Sequence, residues 1–248
     1  MTAESWSNIT VNESFADYSQ TLWFEHSQGK DAGAYENYTA LRSYLSSPTD
    51  AEKDLVRFFY KDKEDVFDLV SYQKGGRILN MLRHFVGDDA FFASLNKYLT
   101  DNKFSNGSAI KLKLAFEAVT GKDLNWFFNQ WFFNSGHPKI SYTTTFEPVK
   151  KQVKITVSQD QLSGNFQFPL ALDIYENGKP TRKNVWVSAK DKNDFTFPVS
   201  KNPDFINLNA DGVLLGEFTE NKTPEQYFAQ YSNSKEFLSR YKAVENAA

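Results

Sequence analysis

Two carboxylates near the start of the chain are spaced so that they could take part in chemistry together. Glu13 follows Asn12 in "TVNESFADY", and Asp17 stands four residues later. Residues four apart share one face of a helix, so the two carboxylates are predicted to be neighbours. Carboxylates ligate metals, exchange protons, or sit in the first turn of a helix where its dipole favours negative charge. The spacing alone is compatible with all three roles.

Glu13 also has a purely structural interpretation. Thr10 and Glu13 fit the S/T-x-x-E capping box, in which the Glu13 carboxylate would accept a hydrogen bond from the Thr10 amide. Asp17 would then be a solvated residue one turn further along. Either interpretation places Glu13 in the first turn of a helix.

A further candidate is Tyr72, in "VSYQKGGRI". A phenol has an ordinary pKa of about 10, so it is neutral near pH 7 and can donate a hydrogen bond to a developing oxyanion. It can equally pack at the entrance of a helix. The two glycines that follow do not form a phosphate-binding loop of the P-loop or Rossmann kind.

Other chemistries are excluded by what the sequence contains. The three histidines, His26, His84 and His137, form no H-x-x-x-H pair, and the chain has no Cys. A zinc site built from local spacing is therefore excluded, as are disulfides and a Cys nucleophile. We expect His84 to be a helix-surface or packing residue and His137 to have a structural role. No G-x-S-x-G motif supports a serine hydrolase.

Charge and hydropathy exclude two further classes of protein. The net charge is −3 without a long run of one sign, which argues against a nucleic-acid interface. No apolar stretch approaches the roughly 18–20 residues of a membrane span. The first residues, "MTAESWSN", are neither basic nor apolar, so we expect no signal peptide in them. These observations do not predict a compartment.

The first half of the chain has helical periodicity, with stops at glycine and proline. Helices are predicted over 10–28, 33–45, 68–86, 88–102, 108–120 and 123–133. Gly29 would end the first of them, and Ser108 and Gly121 would cap the fifth. In the last, Leu124, Phe127, Phe128 and Trp131 form one apolar face.

From Lys139 onward the pattern changes to short runs of period two, which predicts a small antiparallel β-sandwich. "YENGKP" is typical of a tight hairpin turn. Near the end, Thr223, Pro224 and Gln226 fit the start of a capped helix. The predicted domains are thus residues 1–137, 138–218 and 219–248, the last being a helical segment.

Three stretches together resemble one family, the gluzincin zinc aminopeptidases related to aminopeptidase N. "WSNITVNESFADY" is similar to W-x(4)-[LV]-N-E-[GS]-F-A-x-Y. "SYQKGGRILNMLRHFVGDDAFFASLNKYL" is similar to Y-x-K-G-x(3)-L-x-M-L-R-x(2)-[LV]-G-[DE]-x(2)-F, and "GKDLNWFFNQWFFNSGHPKI" to the stretch that ends the catalytic domain. The three occur in family order and cover roughly residues 5–140.

The resemblance implies a fold and specific roles. Residues 1–137 would be the C-terminal helical half of a thermolysin-like catalytic domain, followed by the sandwich. Glu13 would stand at the position of the third Zn²⁺ ligand, and Tyr72 at that of the phenol that stabilises the tetrahedral intermediate. Asn12 and Asp17 would at best be flanking residues that orient the ligand. Gln73 replaces the Glu that is common in the family's Y-E-K-G motif.

The family's two His ligands and its general-base Glu, in H-E-x-x-H, have no counterpart here. The resemblance projects the second His to 19 residues before Glu13, which lies before Met1. We therefore expect part of a zinc aminopeptidase that acts on the amino termini of peptide substrates, with this chain alone inactive and binding Zn²⁺ weakly. The alternative is a non-catalytic binding or interaction module derived from that family. An apolar face around Phe15, Tyr18 and Leu22 would be left without partners, so we also expect either self-association through it or a rearranged N-terminus.

Overall fold

A computed structural model describes residues 1–247 as two compact units, Met1–Gly136 and a second that begins at His137. The first is mainly helical, and the second contains two helices and two sheets, which are antiparallel except for one parallel strand pair. The predicted fold class is confirmed. Within residues 1–247, no helix combines the length and the apolar character needed to cross a membrane.

The first unit is built from six helices that follow the predicted pattern closely. Their bounds are α1 Thr10–Gln28, α2 Lys30–Leu45, α3 Gly75–Val86, α4 Asp88–Asp101, α5 Ala109–Thr120 and α6 Asn125–Trp131. α1 ends at Gly29, whose φ of 97° suits a residue without a side chain. The Ser108 side chain caps α5 by accepting from the Lys111 amide, and Gly121 ends it in the left-handed conformation.

The start of α1 corrects the predicted capping box. A 3-10 turn, Trp6–Asn8, leads straight into the helix, and Ile9 occupies the N-cap in a helical conformation with no side-chain cap bond. Thr10 is already helical, and its Oγ1 lies 2.5 Å from Ser14 Oγ. Because the preceding turn continues into the helix, Thr10 is not at the position from which a capping box is built.

The core of the first unit also corrects one expectation. Tyr18, predicted on an unpartnered face, is only 2% exposed and packs edge-on against Phe91, with 6.0 Å between the ring centroids. Phe15 and Leu22 are half-buried. Self-association through this face stays a prediction, but Tyr18 is not free to contribute to it. The apolar face of α6 is buried as predicted, at Leu124, Phe127, Phe128 and Trp131.

The strands form one small pair and two larger sheets. β1 (Thr2–Ala3) pairs in parallel with β2 (Asn106–Gly107) in the first unit. In the second unit the strands are β3 Lys139–Glu147, β4 Gln152–Gln159, β5 Phe168–Glu176, β6 Lys179–Val187, β7 Lys192–Pro198, β8 Phe205–Leu208 and β9 Glu217–Thr219. Their order is β7-β4-β3-β9 in one sheet and β6-β5-β8 in the other. The Tyr142 hydroxyl of β3 donates to the Ile206 carbonyl of β8, which links the two sheets.

Buried residues recur at every second position along β4. Because successive side chains of a strand point to opposite faces of the sheet, one face of β4 lies in the core of the second unit. The predicted hairpin joins β5 to β6 through Asn177 and Gly178, both with positive φ as a tight turn requires. Two helices follow the sheets, α7 (Pro224–Asn233) and α8 (Phe237–Ala247). Thr223 and Gln226 form the predicted capping box of α7.

Candidate active site

Tyr72 lies in a π turn rather than in regular α-helix. Residues Val70–Lys74 form this turn, in which the Lys74 amide donates to the Leu69 carbonyl, five residues back, at 2.9 Å. The turn continues without a break into α3. Single π turns within helices occur frequently at functional sites, because the extra residue redirects the side chains around it.

The π turn brings the Tyr72 phenol to the Glu13 carboxylate in the first turn of α1. A hydrogen bond to Glu13, together with partial burial and the charge of Glu13, raises the pKa of Tyr72 to about 12. The phenol therefore keeps its proton across the physiological range and can donate a hydrogen bond to the carboxylate. Both side chains are half-buried. The structure thus brings together two residues that sequence analysis selected separately.

A pair of serines holds the two backbones together beside this contact. Ser14 Oγ donates to the Ser71 carbonyl at 2.7 Å, and both residues are buried. Ser14 directly follows Glu13 in sequence, and Ser71 directly precedes Tyr72. This bond fixes the separation between the backbones that carry the carboxylate and the phenol.

Asp17 makes a second contact between the same elements. Gln73 Nε2 donates to Asp17 Oδ1 at 3.1 Å. Burial and the nearby charge of Glu36 raise the pKa of Asp17 to about 6, although the bond from Gln73 acts against them. The Gln at position 73, noted in the sequence as a departure from Glu, therefore supplies a neutral donor to a carboxylate that is costly to ionise. Asn12 is exposed on the neighbouring surface of α1.

Gly75 and Gly76 allow α1 to approach this closely. A Cβ added at Gly75 would lie 1.8 Å from Ser14 Oγ, and one at Gly76 would lie 2.4 Å from Asp17 Oδ2. Both distances are far below a van der Waals contact. Gly75 is therefore required by close packing, since Ser14 Cβ would also lie only 2.6 Å away, whereas the end of the Asp17 side chain could move away from a Cβ at Gly76.

A group of charges lies next to the π turn, with Arg57 and Asp50 buried and Lys53 and Asp68 half-buried. Arg57 makes a bidentate ion pair with Asp68, with N–O distances of 2.6 and 3.0 Å, and Lys53 Nζ lies 2.9 Å from Asp68 and 2.6 Å from Asp50. Burial acts to raise the pKa of Asp68, but the hydrogen bonds from Arg57 and Lys53 hold it below its usual value. Asp68 is therefore ionised at neutral pH.

Lys74, the last residue of the π turn, is fully buried. Its Nζ donates to the Lys53 carbonyl at 3.4 Å and lies 5.8 Å from the centroid of the Tyr44 ring. Burial lowers the pKa of Lys74 to about 8, in spite of the opposing charge of Asp54. Lys74 thus anchors the turn to the Lys53 carbonyl and the Tyr44 ring.

The residues present do not assemble a zinc site. Among residues 1–247, no group of three or more His, Cys, Asp or Glu side chains could hold a metal ion. His26 and His84 are exposed on their helices, as expected for His84. His137 is buried and its Nε2 lies 2.8 Å from Glu217 Oε1, a structural contact within the second unit. Glu13 can offer a metal one carboxylate, which is fewer ligands than catalytic zinc requires.

Sequence reasoning missed the supporting residues Ser14, Ser71, Arg57 and Asp68. Nothing in their local pattern marks them, because their contacts join segments far apart in the chain. The pair of glycines was the one available signal, since adjacent glycines inside a predicted helix cost stability unless another element packs closely there.

A family model and several related sequences show what this chain is similar to. Residues 1–131 match the family model described as the Peptidase family M1 domain. Tricorn protease-interacting factor F2 of Thermoplasma volcanium is 26% identical over 182 residues, covering 70% of this chain and 23% of that protein. Probable aminopeptidase 1 of Sulfurisphaera tokodaii is 26% identical over 218 residues, covering 86% and 27%. Aminopeptidase M1 of Arabidopsis thaliana is 28% identical over 152 residues, covering 57% and 16%.

A solved structure shares the fold along almost the whole chain. Legionella pneumophila aminopeptidase A, crystallised with aspartic acid, superposes with a TM-score of 0.82 at 18% identity, covering 99% of this chain and 28% of that one. The chain therefore spans about a quarter of the length of the first of these relatives and of this structure.

Proposed function

Because the chain belongs to peptidase family M1, we propose that it forms part of a zinc-dependent aminopeptidase that removes residues from the amino termini of peptides. Its similarity to proteins named as aminopeptidases supports this activity. The family membership agrees with the resemblance found in the sequence.

The observation that carries the proposal is the placement of the Tyr72 phenol beside the Glu13 carboxylate, next to the 2.7 Å bond from Ser14 Oγ to the Ser71 carbonyl. In the proposed enzyme, Glu13 is a metal ligand, and Tyr72 stabilises the oxyanion that forms when a peptide carbonyl is attacked. A phenol with a raised pKa is suited to this, since it stays neutral and donates a hydrogen bond without losing its proton. Asp17 and Asn12 are the flanking candidates for orienting Glu13.

We propose further that this chain alone is inactive. The two His ligands and the general base would come from polypeptide outside it, in an H-E-x-x-H segment. Glu13 alone would bind Zn²⁺ weakly, since structural and catalytic zinc sites use three or four protein ligands. The same segment would supply the carboxylate that activates the attacking water molecule.

A second candidate is a non-catalytic binding or interaction module derived from the same family. The lack of a three-ligand metal group among residues 1–247 is compatible with both candidates. The two candidates differ in what the gene encodes and in what a longer product does.

The decisive experiment begins with the coding sequence upstream of Met1. The proposal expects an in-frame H-E-x-x-H whose second His lies 19 residues before Glu13. The longer product should cleave aminoacyl p-nitroanilides, lose activity on chelation, and regain it with Zn²⁺. A stop codon or unrelated sequence there would favour the binding module, as would a longer product that holds zinc but cleaves nothing.

Two variants of the longer product separate the proposed roles. Glu13→Gln should lose both zinc and turnover. Tyr72→Phe should keep zinc but lower kcat by roughly 10²–10³, the usual effect of removing one oxyanion donor. Tyr35→Phe, on the exposed side of α2, is the matched control and should change neither. A Tyr72→Phe enzyme with normal kcat would remove Tyr72 from the mechanism.

A further inference from the structure

We propose that Asp68, held by Arg57, is a positioning residue for Tyr72 and acts through the backbone of the π turn. The inference rests on the proposed function, because it takes the Tyr72 phenol as the group to be positioned. The side chains of Asp68 and Arg57 bond to the turn and to the segment before it, rather than to the phenol. Their effect on the phenol must therefore be transmitted by the turn.

Asp68 holds the beginning of the turn. Its Oδ1 accepts hydrogen bonds from the amides of Val70 and Ser71, both at 3.1 Å, and its carbonyl accepts from the Tyr72 amide at 3.1 Å. The first amides of a helix have no partner within the helix, so a carboxylate that accepts from them fixes where the helix begins. Three consecutive amides, ending with that of Tyr72, thus depend on Asp68.

Arg57 holds both the turn and the segment that enters it. Besides its ion pair with Asp68, its Nη2 donates to Ser71 Oγ at 2.7 Å and to the Val66 carbonyl at 3.2 Å. Ser71 Oγ in turn donates to the Val66 carbonyl at 2.5 Å. Arg57 is 9% exposed, so these bonds form away from bulk water.

Ser71 is consequently fixed from two sides. Asp68 and Arg57 hold its amide and side chain, while Ser14 of α1 donates to its carbonyl. The residue before Tyr72 therefore has little freedom to rotate, and the direction of the phenol is set relative to α1. The bonds from Asp68 and Arg57 thus define the geometry of the residue before Tyr72, which is the property that positioning requires.

A similar cluster around Arg83, in the last turn of α3, provides the comparison. Arg83 makes charged hydrogen bonds to Glu25 and to Asp88. Arg83 also joins α3 to α1 and is as buried as Arg57, but these bonds lie away from residues 66–74. Disruption of this cluster should therefore lower stability without moving Tyr72.

The test uses the whole chain at pH 7 without metal, with tyrosine labelled by ¹³C at Cζ. The resonance that is lost in Tyr72→Phe belongs to Tyr72. Its change in chemical shift in Glu13→Gln gives the displacement caused by removing the carboxylate. We expect Asp68→Ala to move the resonance by at least half of that displacement. Asp68→Asn should move it less, because the amide oxygen can still accept from Val70 and Ser71. Asp88→Asn should leave it unchanged.

The proposal is overturned if folded Asp68→Ala keeps the wild-type resonance, or if Asp88→Asn moves it as far. Should Asp68→Ala fail to fold by circular dichroism, Ser71→Ala takes its place, since it removes only the bonds of the hydroxyl. An unchanged resonance in folded Ser71→Ala and Asp68→Asn then overturns it. Because no catalysis is measured, failure here is distinct from failure of the proposed peptidase function.

Discussion

Ser14 Oγ donates a 2.7 Å hydrogen bond to the Ser71 carbonyl, across 57 positions of the chain. The bond joins the residue after Glu13 to the residue before Tyr72. It lies in the interior, where neither group has access to water. The contact between carboxylate and phenol therefore depends on a neutral pair that takes no part in the proposed chemistry.

Ser14→Ala tests that dependence. The Ser71 carbonyl would lose a buried donor, so the free energy of unfolding should fall by about 1–3 kcal/mol. Urea denaturation followed by circular dichroism measures this change. Ser19→Ala is the matched control, because Ser19 is exposed on the same helix and its Oγ bonds to the Phe15 carbonyl of its own helix. It should change stability by less than about 0.5 kcal/mol, and equal losses in the two variants would contradict the prediction.

Gly75→Ala should destabilise the protein, although alanine is ordinarily better than glycine inside a helix by about 0.5–1 kcal/mol. The reason is the 1.8 Å separation between the new Cβ and Ser14 Oγ. We expect a loss of about 1–3 kcal/mol, the usual cost of overpacking. The double variant Gly75→Ala/Ser14→Gly removes the obstructing atoms and should recover part of this loss. Thermal denaturation of the four proteins gives the coupling energy, and a coupling of zero would show that the helices simply move apart.

Asp17 makes stability depend on pH. Its pKa is raised to about 6 by burial and by Glu36, against an ordinary value of 3.8. The folded protein thus binds this proton more tightly than the unfolded chain, so the contribution is present below pH 3.8 and is lost as pH rises to about 6. Allowing for partial exposure, the loss above pH 6 is about 1–2 kcal/mol.

Asp17→Asn should therefore be more stable than the wild type at pH 7.5 by about 1–2 kcal/mol, and the gain should vanish near pH 3.5. The asparagine Oδ1 can still accept from Gln73. Urea denaturation at both pH values measures the difference. Asp31→Asn, in the first turn of α2, is the control. A gain that does not depend on pH would show that ionisation of Asp17 is not the cause.

Glu13→Gln should make Tyr72 easier to ionise. The hydrogen bond and charge of Glu13 raise the pKa of Tyr72 to about 12, so removing the carboxylate should bring it towards 10. At pH 11 the variant should absorb more at the wavelength of tyrosinate than the wild type does. Adding Tyr72→Phe to Glu13→Gln should remove this excess. Circular dichroism at the same pH checks that the wild type and the variants are folded. Equal absorbance in wild type and variant would mean that Glu13 does not hold the phenol.

The regular elements could be predicted from sequence because their signals are local. Gly29 and Ser108 act on the turn next to them, and the period of two along β4 is visible in eight residues. The capping box at Thr10 and Glu13 failed although its pattern is correct. Whether Thr10 begins the helix depends on the turn before it, and Ile9 continues that turn into α1.

The geometry of the site could not be predicted from local sequence patterns. Glu13 and Tyr72 were selected separately, and only the family resemblance suggested that they belong together. Their meeting depends on the π turn, which periodicity does not reveal, and on the close approach at Gly75. The supporting charges at Asp68 and Arg57 look like ordinary surface residues in the sequence, because burial is a property of the folded unit.

The π turn also makes the spacing of this segment more critical than its composition. It contains one residue more than an α turn, so it shifts the rotational phase of everything after Lys74 by about 100°. Tyr72 and Gln73 lie before that shift and Gly75 after it, and all three face α1. Deleting any one residue of 70–74 other than Tyr72 would keep nearly every chemical group, but it would turn either the phenol or the glycines away from α1. Substitutions here should be tolerated far better than a change of length by one.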